Sequence, residues 1–328
     1  MSRLSLPALA AASVLTVAGL AGCATTPADD DGRLSVVAST NVYGDIAALI
    51  AGDAVDVSSI ITSAAQDPHS YEASAHDQLA IADADLVVLN GGGYDSFMET
   101  LLDASGNDGV AVLNAVEISG LAPDEDGDDH DEEGDDHEGE EHAADEGHEG
   151  HDHIEGFNEH VWYSFEAMDA LAHELADHLG ELDAANGDTF HENYETFAAG
   201  LAELEERAHE LHEGFEGDGV AITEPVPLYL LAELGFDNLT PDEFSEAIEE
   251  GGDVPPLVLD ETLQLFRTGA VVLLAYNEQT AGPETEEVRA AADAAGIPVV
   301  PFTETLPDGA DYLSWMTDNI DAVASALS

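Results

Sequence analysis

Eight apolar residues, Phe190, Tyr194, Phe197, Leu201, Leu204, Ala208, Leu211 and Phe215, recur at alternating spacings of four and three. That period keeps them on one stripe of an α-helix, with Glu and His on the other faces. A helix over 190–215 would run about 39 Å at the standard rise. A coiled coil has similar spacing, but alanine and aromatics in the seam over only about four heptads favour packing across two bodies. On both sides of the stripe, short Val/Ile/Leu runs alternate with Ala-rich helical patterns. Candidate strands lie at 34–39, 55–61, 85–89 and 110–113 before it, and at 220–223, 270–276 and 297–301 after it. Several are continuous apolar runs, as parallel strands covered on both faces require. Helical patterns at 43–51, 75–82 and 284–295 separate them, the last stopping at Gly296 and Pro298. The expected fold is α/β, with two lobes around mostly parallel sheets and one long rigid helix joining them. The boundaries read as 34–184 for the first lobe, 185–216 for the linking helix and 217–328 for the second lobe. A helix between lobes resists hinge opening more than an extended linker does, so function should not need a large closure.

Residues 1–23 read as a leader. Arg3 is a short positive region, and 9–20 is an apolar run too short to be a convincing membrane span. Leu20-Ala21-Gly22-Cys23 then has the form of a lipobox, with Cys23 offering the thiol for a diacylglyceryl group and 24–33 serving as a tether. Cys23 is the only cysteine, which excludes an internal disulfide and a thiolate metal site. No other segment has transmembrane length. The expected location is therefore outside the cytoplasm, lipid-anchored on the outer face of the cell membrane.

The chain carries 72 acidic residues against 5 arginines and no lysine, for a net charge of −67. This repels nucleic acid and anionic lipid surfaces, and it reads as adaptation to a salty medium, where screening relieves self-repulsion. Eighteen of the acids fall within 124–155, a stretch made almost wholly of Asp, Glu, Gly and His. With so few apolar residues it cannot offset its ordering entropy, so disorder without metal is expected. Its six histidines, His130, His137, His142, His148, His151 and His153, are too many for a simple linker and read as a loose, low-affinity metal collector.

Two further histidines sit in ordered-looking contexts. His69 follows a proline in Asp67-Pro68-His69-Ser70-Tyr71-Glu72, and His160 lies in Asn158-Glu159-His160-Val161-Trp162-Tyr163. Glu224 comes directly after the strand at 220–223, and Glu278 follows the strand at 270–276. All four belong at the carboxyl ends of strands or in nearby loops, where α/β proteins place ligands. Two imidazoles with one or two carboxylates suit Zn²⁺ or Mn²⁺. A zinc hydrolase would use a similar set. Against it, there is no His-Glu-x-x-His helix, His191-Glu192-Asn193-Tyr194-Glu195 lacking the second histidine, and no Gly-x-Ser-x-Gly motif.

These motifs resemble the metal-specific solute-binding lipoproteins of zinc and manganese ABC importers. The resemblance covers nearly all of the chain after the leader. It rests on 67–72 and 158–162, on Ala84-Asp85-Leu86-Val87-Val88-Leu89-Asn90-Gly91, on Thr223-Glu224-Pro225, and on Tyr276-Asn277-Glu278-Gln279-Thr280. A closing segment, Pro298-Val299-Val300, Thr303-Glu304-Thr305-Leu306-Pro307 and Tyr312-Leu313-Ser314-Trp315-Met316, completes it. It implies pseudo-symmetric lobes with one metal ion between them, and a membrane permease and its ATPase as partners of a monomeric binding protein. It implies His69 and His160 as the first lobe's ligands, with Glu224 at a position that is Glu in some members and His in others. Many members carry an Asp after the strand corresponding to 270–276. Here the loop has none, and Glu278 is the substitute, with a completing water or an outer role for Glu278 as alternatives. The histidine tract favours zinc as the transported ion, since imidazole-rich sequences hold manganese poorly; manganese, or a mixture of the two, is the alternative. A surface adhesin that sequesters metal without transport is the remaining rival.

Overall fold

Every strand pairing among the described residues is parallel, and the same strand order occurs twice. The computed structural model describes residues 32–123, 154 and 156–328. The leader with Cys23 and all six tract histidines lie outside the described residues. The first sheet contains Leu34–Thr40 (β1), Val55–Ile61 (β2), Leu86–Leu89 (β3) and Ala111–Asn114 (β4), in the order β2-β1-β3-β4. The second contains Gly219–Ile222 (β5), Asp237–Asn238 (β6), Leu273–Asn277 (β7) and Val299–Phe302 (β8), in the order β6-β5-β7-β8. Helices Asn41–Ala51 (α1), Ala75–Ala82 (α2), Ser96–Ser105 (α3), Ala115–Ser119 (α4) and Phe165–Leu182 (α5) accompany the first sheet. Gly187–Phe215 (α6) leads to the second. There follow Leu228–Glu233 (α7), Asp242–Glu249 (α8), Pro256–Thr268 (α9), Pro283–Ala295 (α10) and Tyr312–Ala326 (α11).

The inner strands are buried, apart from Leu34 and Ser35 at the start of β1, because both of their faces are covered, as all-parallel pairing demands. Their side chains alternate between two cores. Val36 and Ala38 of β1 and Leu86 and Val88 of β3 face a middle core, while Val37, Val87 and Leu89 face an outer one. In the second sheet Val220, Ile222, Leu273 and Ala275 join the same middle core, and Ala221, Leu274 and Tyr276 face a second outer core. One continuous apolar interior thus runs from the first sheet to the second, and the described residues from 33 onward form one compact unit.

The helix α6 is 29 residues long and carries the whole 4-3-4 stripe. Phe190, Phe197, Leu201, Leu204 and Ala208 are buried, and Tyr194, Leu211 and Phe215 pack partly buried against the middle core. It touches α1, α5, α7 and α11 and so contacts elements from both halves. Although α11 follows β8 in sequence, it packs on α1 and α6. Gly200 permits the close approach, since a Cβ there would meet Leu313 Cδ1 at 2.5 Å. The crossing is pinned by hydrogen bonds. Asn41 donates to the Leu306 carbonyl and accepts from its N–H, Tyr312 N–H donates to Asp45, and Tyr312 OH donates to the Trp162 carbonyl at 2.7 Å.

Candidate metal centre

In both sheets the connections change direction between the first and third strands of each half, β1 and β3 or β5 and β7, which opens a crevice at the strand carboxyl ends. The chemistry-bearing residues collect there. His69 lies on the loop after β2, Tyr94 after β3, Glu224 two residues past β5, Asn277 at the end of β7 and Glu304 two residues past β8. His160 comes from the segment before α5. The loop after β3 turns back through Gly91, Gly92 and Gly93, all at positive φ. A side chain at Gly91, where φ is 80°, would also collide with Asn114. This turn seats Tyr94 against both imidazoles, 4.8 Å from the His69 ring and 5.8 Å from the His160 ring, with Trp162 5.0 Å from His160.

The two histidines are aimed by their neighbours. Asp67 accepts from the His69 N–H at 3.0 Å and from the Ser70 hydroxyl at 2.7 Å, which fixes the turn that carries the ring. Asn158 Nδ2 donates to the Pro225 carbonyl, so its Oδ1 faces His160 Nδ1 at 2.7 Å. An amide oxygen only accepts, so Nδ1 must carry the proton and Nε2 is left with a lone pair. That is the tautomer a metal ligand needs.

His69, His160 and Glu304 offer ligand atoms that all lie within 4.8 Å of one another. A second group, His69, Glu159 and Glu249, meets the same criterion and shares His69. The ring centroids of His69 and His160 are 6.0 Å apart, Glu304 Oε2 is 3.9 Å from His69 Nε2, and Glu249 Oε1 is 3.6 Å from His160 Nε2. Glu159, Glu224 and Glu304 are buried, and Glu249 is nearly so. The four described arginines pair elsewhere, with Asp56, Asp321, Asp260 and Glu286. Burial lifts the carboxyl of Glu304 above its ordinary range, and the charge of Glu224 adds to the rise. Burial also raises Glu224, and raises Glu249 with help from Glu159. Buried carboxylates gathered without a cation are costly, and a divalent ion among them removes the cost. Glu159 and Glu249 also line a cleft of about 460 Å³ that includes Phe157, Pro225 and Glu246.

The family model described as zinc-uptake complex component A, periplasmic, matches residues 36–326. The chain belongs to this family. The metal ABC transporter substrate-binding lipoprotein ScbA of Streptococcus cristatus is 23% identical, over 96% of each chain. The manganese-binding lipoprotein MntA of Halalkalibacterium halodurans is 24% identical, again over 96% of each. The structure of FpvC from Pseudomonas aeruginosa in complex with Mn²⁺ shares the fold, with a TM-score of 0.69 at 23% identity, covering 90% of this chain and 98% of that one. As a member of the zinc-uptake component A family, the chain is a substrate-binding protein of a metal ABC importer, not an enzyme. Such proteins work with a permease and an ATPase. Among the described residues no helix is long and apolar enough to cross a membrane.

Within this member of the family, His69 and His160 come together with Glu304, and Glu224 is joined to Glu304 through Asn277. Glu278 does not take the place expected of it. It is exposed, because β7 ends by turning Asn277 inward and the next side chain falls on the other side. The carboxylate that meets the two imidazoles is that of Glu304, from the neighbouring strand end. The signal was available in Phe302-Thr303-Glu304, an acid two residues past a strand, as Glu224 is. Glu249 and Asn277 were also missed. Nothing in the spacing of α8 indicates that its last residue closes over another element's histidine.

Proposed function

We propose that this protein captures Zn²⁺ outside the cytoplasm and delivers it to the permease of an ABC importer. His69, His160 and Glu304 hold the ion, and Glu224 supplies the fourth donor. The observation that carries this is the meeting of two imidazoles, one with its Nε2 left as the acceptor nitrogen, with the buried carboxylate of Glu304. Two nitrogens and two oxygens make a four-coordinate set suited to zinc. The leader motif ending at Cys23 supports a diacylglyceryl anchor on the outer membrane face, with the protein acting as a monomer. The histidines between 130 and 153 support a low-affinity collector that raises the local supply of ion. Manganese is the second reading, favoured by the Mn²⁺-binding names among the relatives and by the abundance of hard carboxylate oxygens.

Equilibrium dialysis against equal Zn²⁺ and Mn²⁺, followed by elemental analysis, tests both. One tightly held zinc per chain is expected, lost in His69→Ala and His160→Ala. Deleting 124–155 should lower the total metal taken up and leave the tight ion. Retention of manganese in the presence of zinc would reverse the choice of ion, and tight binding that survives both histidine changes would overturn the site.

A further inference from the structure

Asn277 has a partner for every polar atom of its side chain. It ends β7 and is 2% exposed. Its backbone N–H donates to Thr223 Oγ1 at 2.9 Å, which ties β7 to the residue before Glu224. Its Oδ1 accepts from the Gln279 N–H at 3.0 Å, and this settles which way the amide faces, since a backbone N–H can only donate. Nδ2 therefore points at the carboxylates. It donates to Glu224 Oε2 and, at 2.7 Å, to Glu304 Oε1. One amide thus occupies one oxygen of each acid. The other oxygen of Glu304, Oε2, is the one beside His69 Nε2 and the Tyr94 hydroxyl.

We infer that Asn277 is a positioning residue that limits Glu224 and Glu304 to one metal-binding oxygen each, and thereby sets the ion preference. This rests on the metal-site reading above. A carboxylate oxygen already accepting an amide hydrogen is a poorer ligand, so neither acid readily binds through both oxygens. Two imidazoles and two single oxygens give four-coordination, which zinc accepts. Were both acids to chelate, the same residues would supply six donors, the number harder, oxygen-preferring ions such as manganese favour. Discrimination would then reside in an amide that never touches the ion, held on a strand end and satisfied at every polar atom.

Cobalt(II) reports coordination number directly, since four-coordinate Co²⁺ absorbs visible light intensely and six-coordinate Co²⁺ weakly. The wild-type chain loaded with one Co²⁺ is expected to give the intense spectrum; a weak one overturns the inference without any variant. Asn277→Ala removes the amide, and Asn277→Leu removes it while filling the space. Both should bind Co²⁺ with a weakened spectrum, and their preference for Zn²⁺ over Mn²⁺ should fall by about tenfold, the lower end of what outer partners of metal ligands contribute. A wild-type spectrum and an unchanged Zn²⁺/Mn²⁺ ratio in a folded variant would show that Asn277 only braces β7. Failure of the wild-type chain to bind any ion one-to-one would instead remove the metal site itself, a result separable from the others.

Discussion

Glu304, Glu224 and Glu249 are carboxyls pushed upward chiefly by burial, and each feels at least one other acid. Groups raised in this way keep protons toward neutral pH, where an exposed glutamate has none. A divalent ion has to displace them, so binding releases protons and tightens as pH rises through the neutral range. Calorimetric titration with Zn²⁺ at pH 7, in two buffers of different ionisation enthalpy, should give apparent heats that differ by the protons set free. Equal heats would mean that the acids are already ionised. The meeting of His69 and His160 was legible in the sequence because each stands in a distinctive local context. Glu304 was not, because Glu278 and Glu304 follow adjacent parallel strands and both belong at the same edge. Only the direction of the side chain at the end of β7 separates them, and a shift of one residue there exchanges the two faces.

The elements were readable where a period was long enough to count. The stripe on α6 fills 29 residues, and the apolar runs marked seven strands to within about three residues at either end, the usual slack in such boundaries. The two-residue β6 carries no period, and it forms only because β5 offers an edge. The placement of α11 was equally hidden. Its amphipathic pattern does not say which half it will cover, and the decision rests on Asn41, Asp45 and the room left by Gly200. Phe197 tests this arrangement, since it is buried on α6 with its ring 5.8 Å from that of Tyr312 on α11. Phe197→Ala should destabilise the protein by about 3–5 kcal/mol. Because the middle core is shared, unfolding in denaturant should remain one transition for both halves. Two separated transitions would show that each sheet stands alone.

At the scale of the whole molecule, 72 acidic residues are opposed by only five arginines. The four described ones make ion pairs that are exposed on at least one side, which contribute little. The remaining acids repel one another through solvent, and that repulsion is screened over about 3 Å at molar salt compared with about 30 Å at 0.01 M. The melting temperature should therefore climb steeply as NaCl is raised from 10 mM to 2 M. A flat curve by differential scanning calorimetry would mean that the charge is balanced in some other way.

The interior that runs unbroken between the sheets also decides how the cargo can leave. Parting the halves like jaws would lay bare Tyr163 and Phe302, whose rings lie 6.1 Å apart across it, a cost no docking event recovers cheaply. Glu249 rides on a short helix whose Phe244 and Ile248 sit in the outer core of the second half, clear of that interior. Release by easing this peripheral segment aside would leave the trunk of the molecule shut.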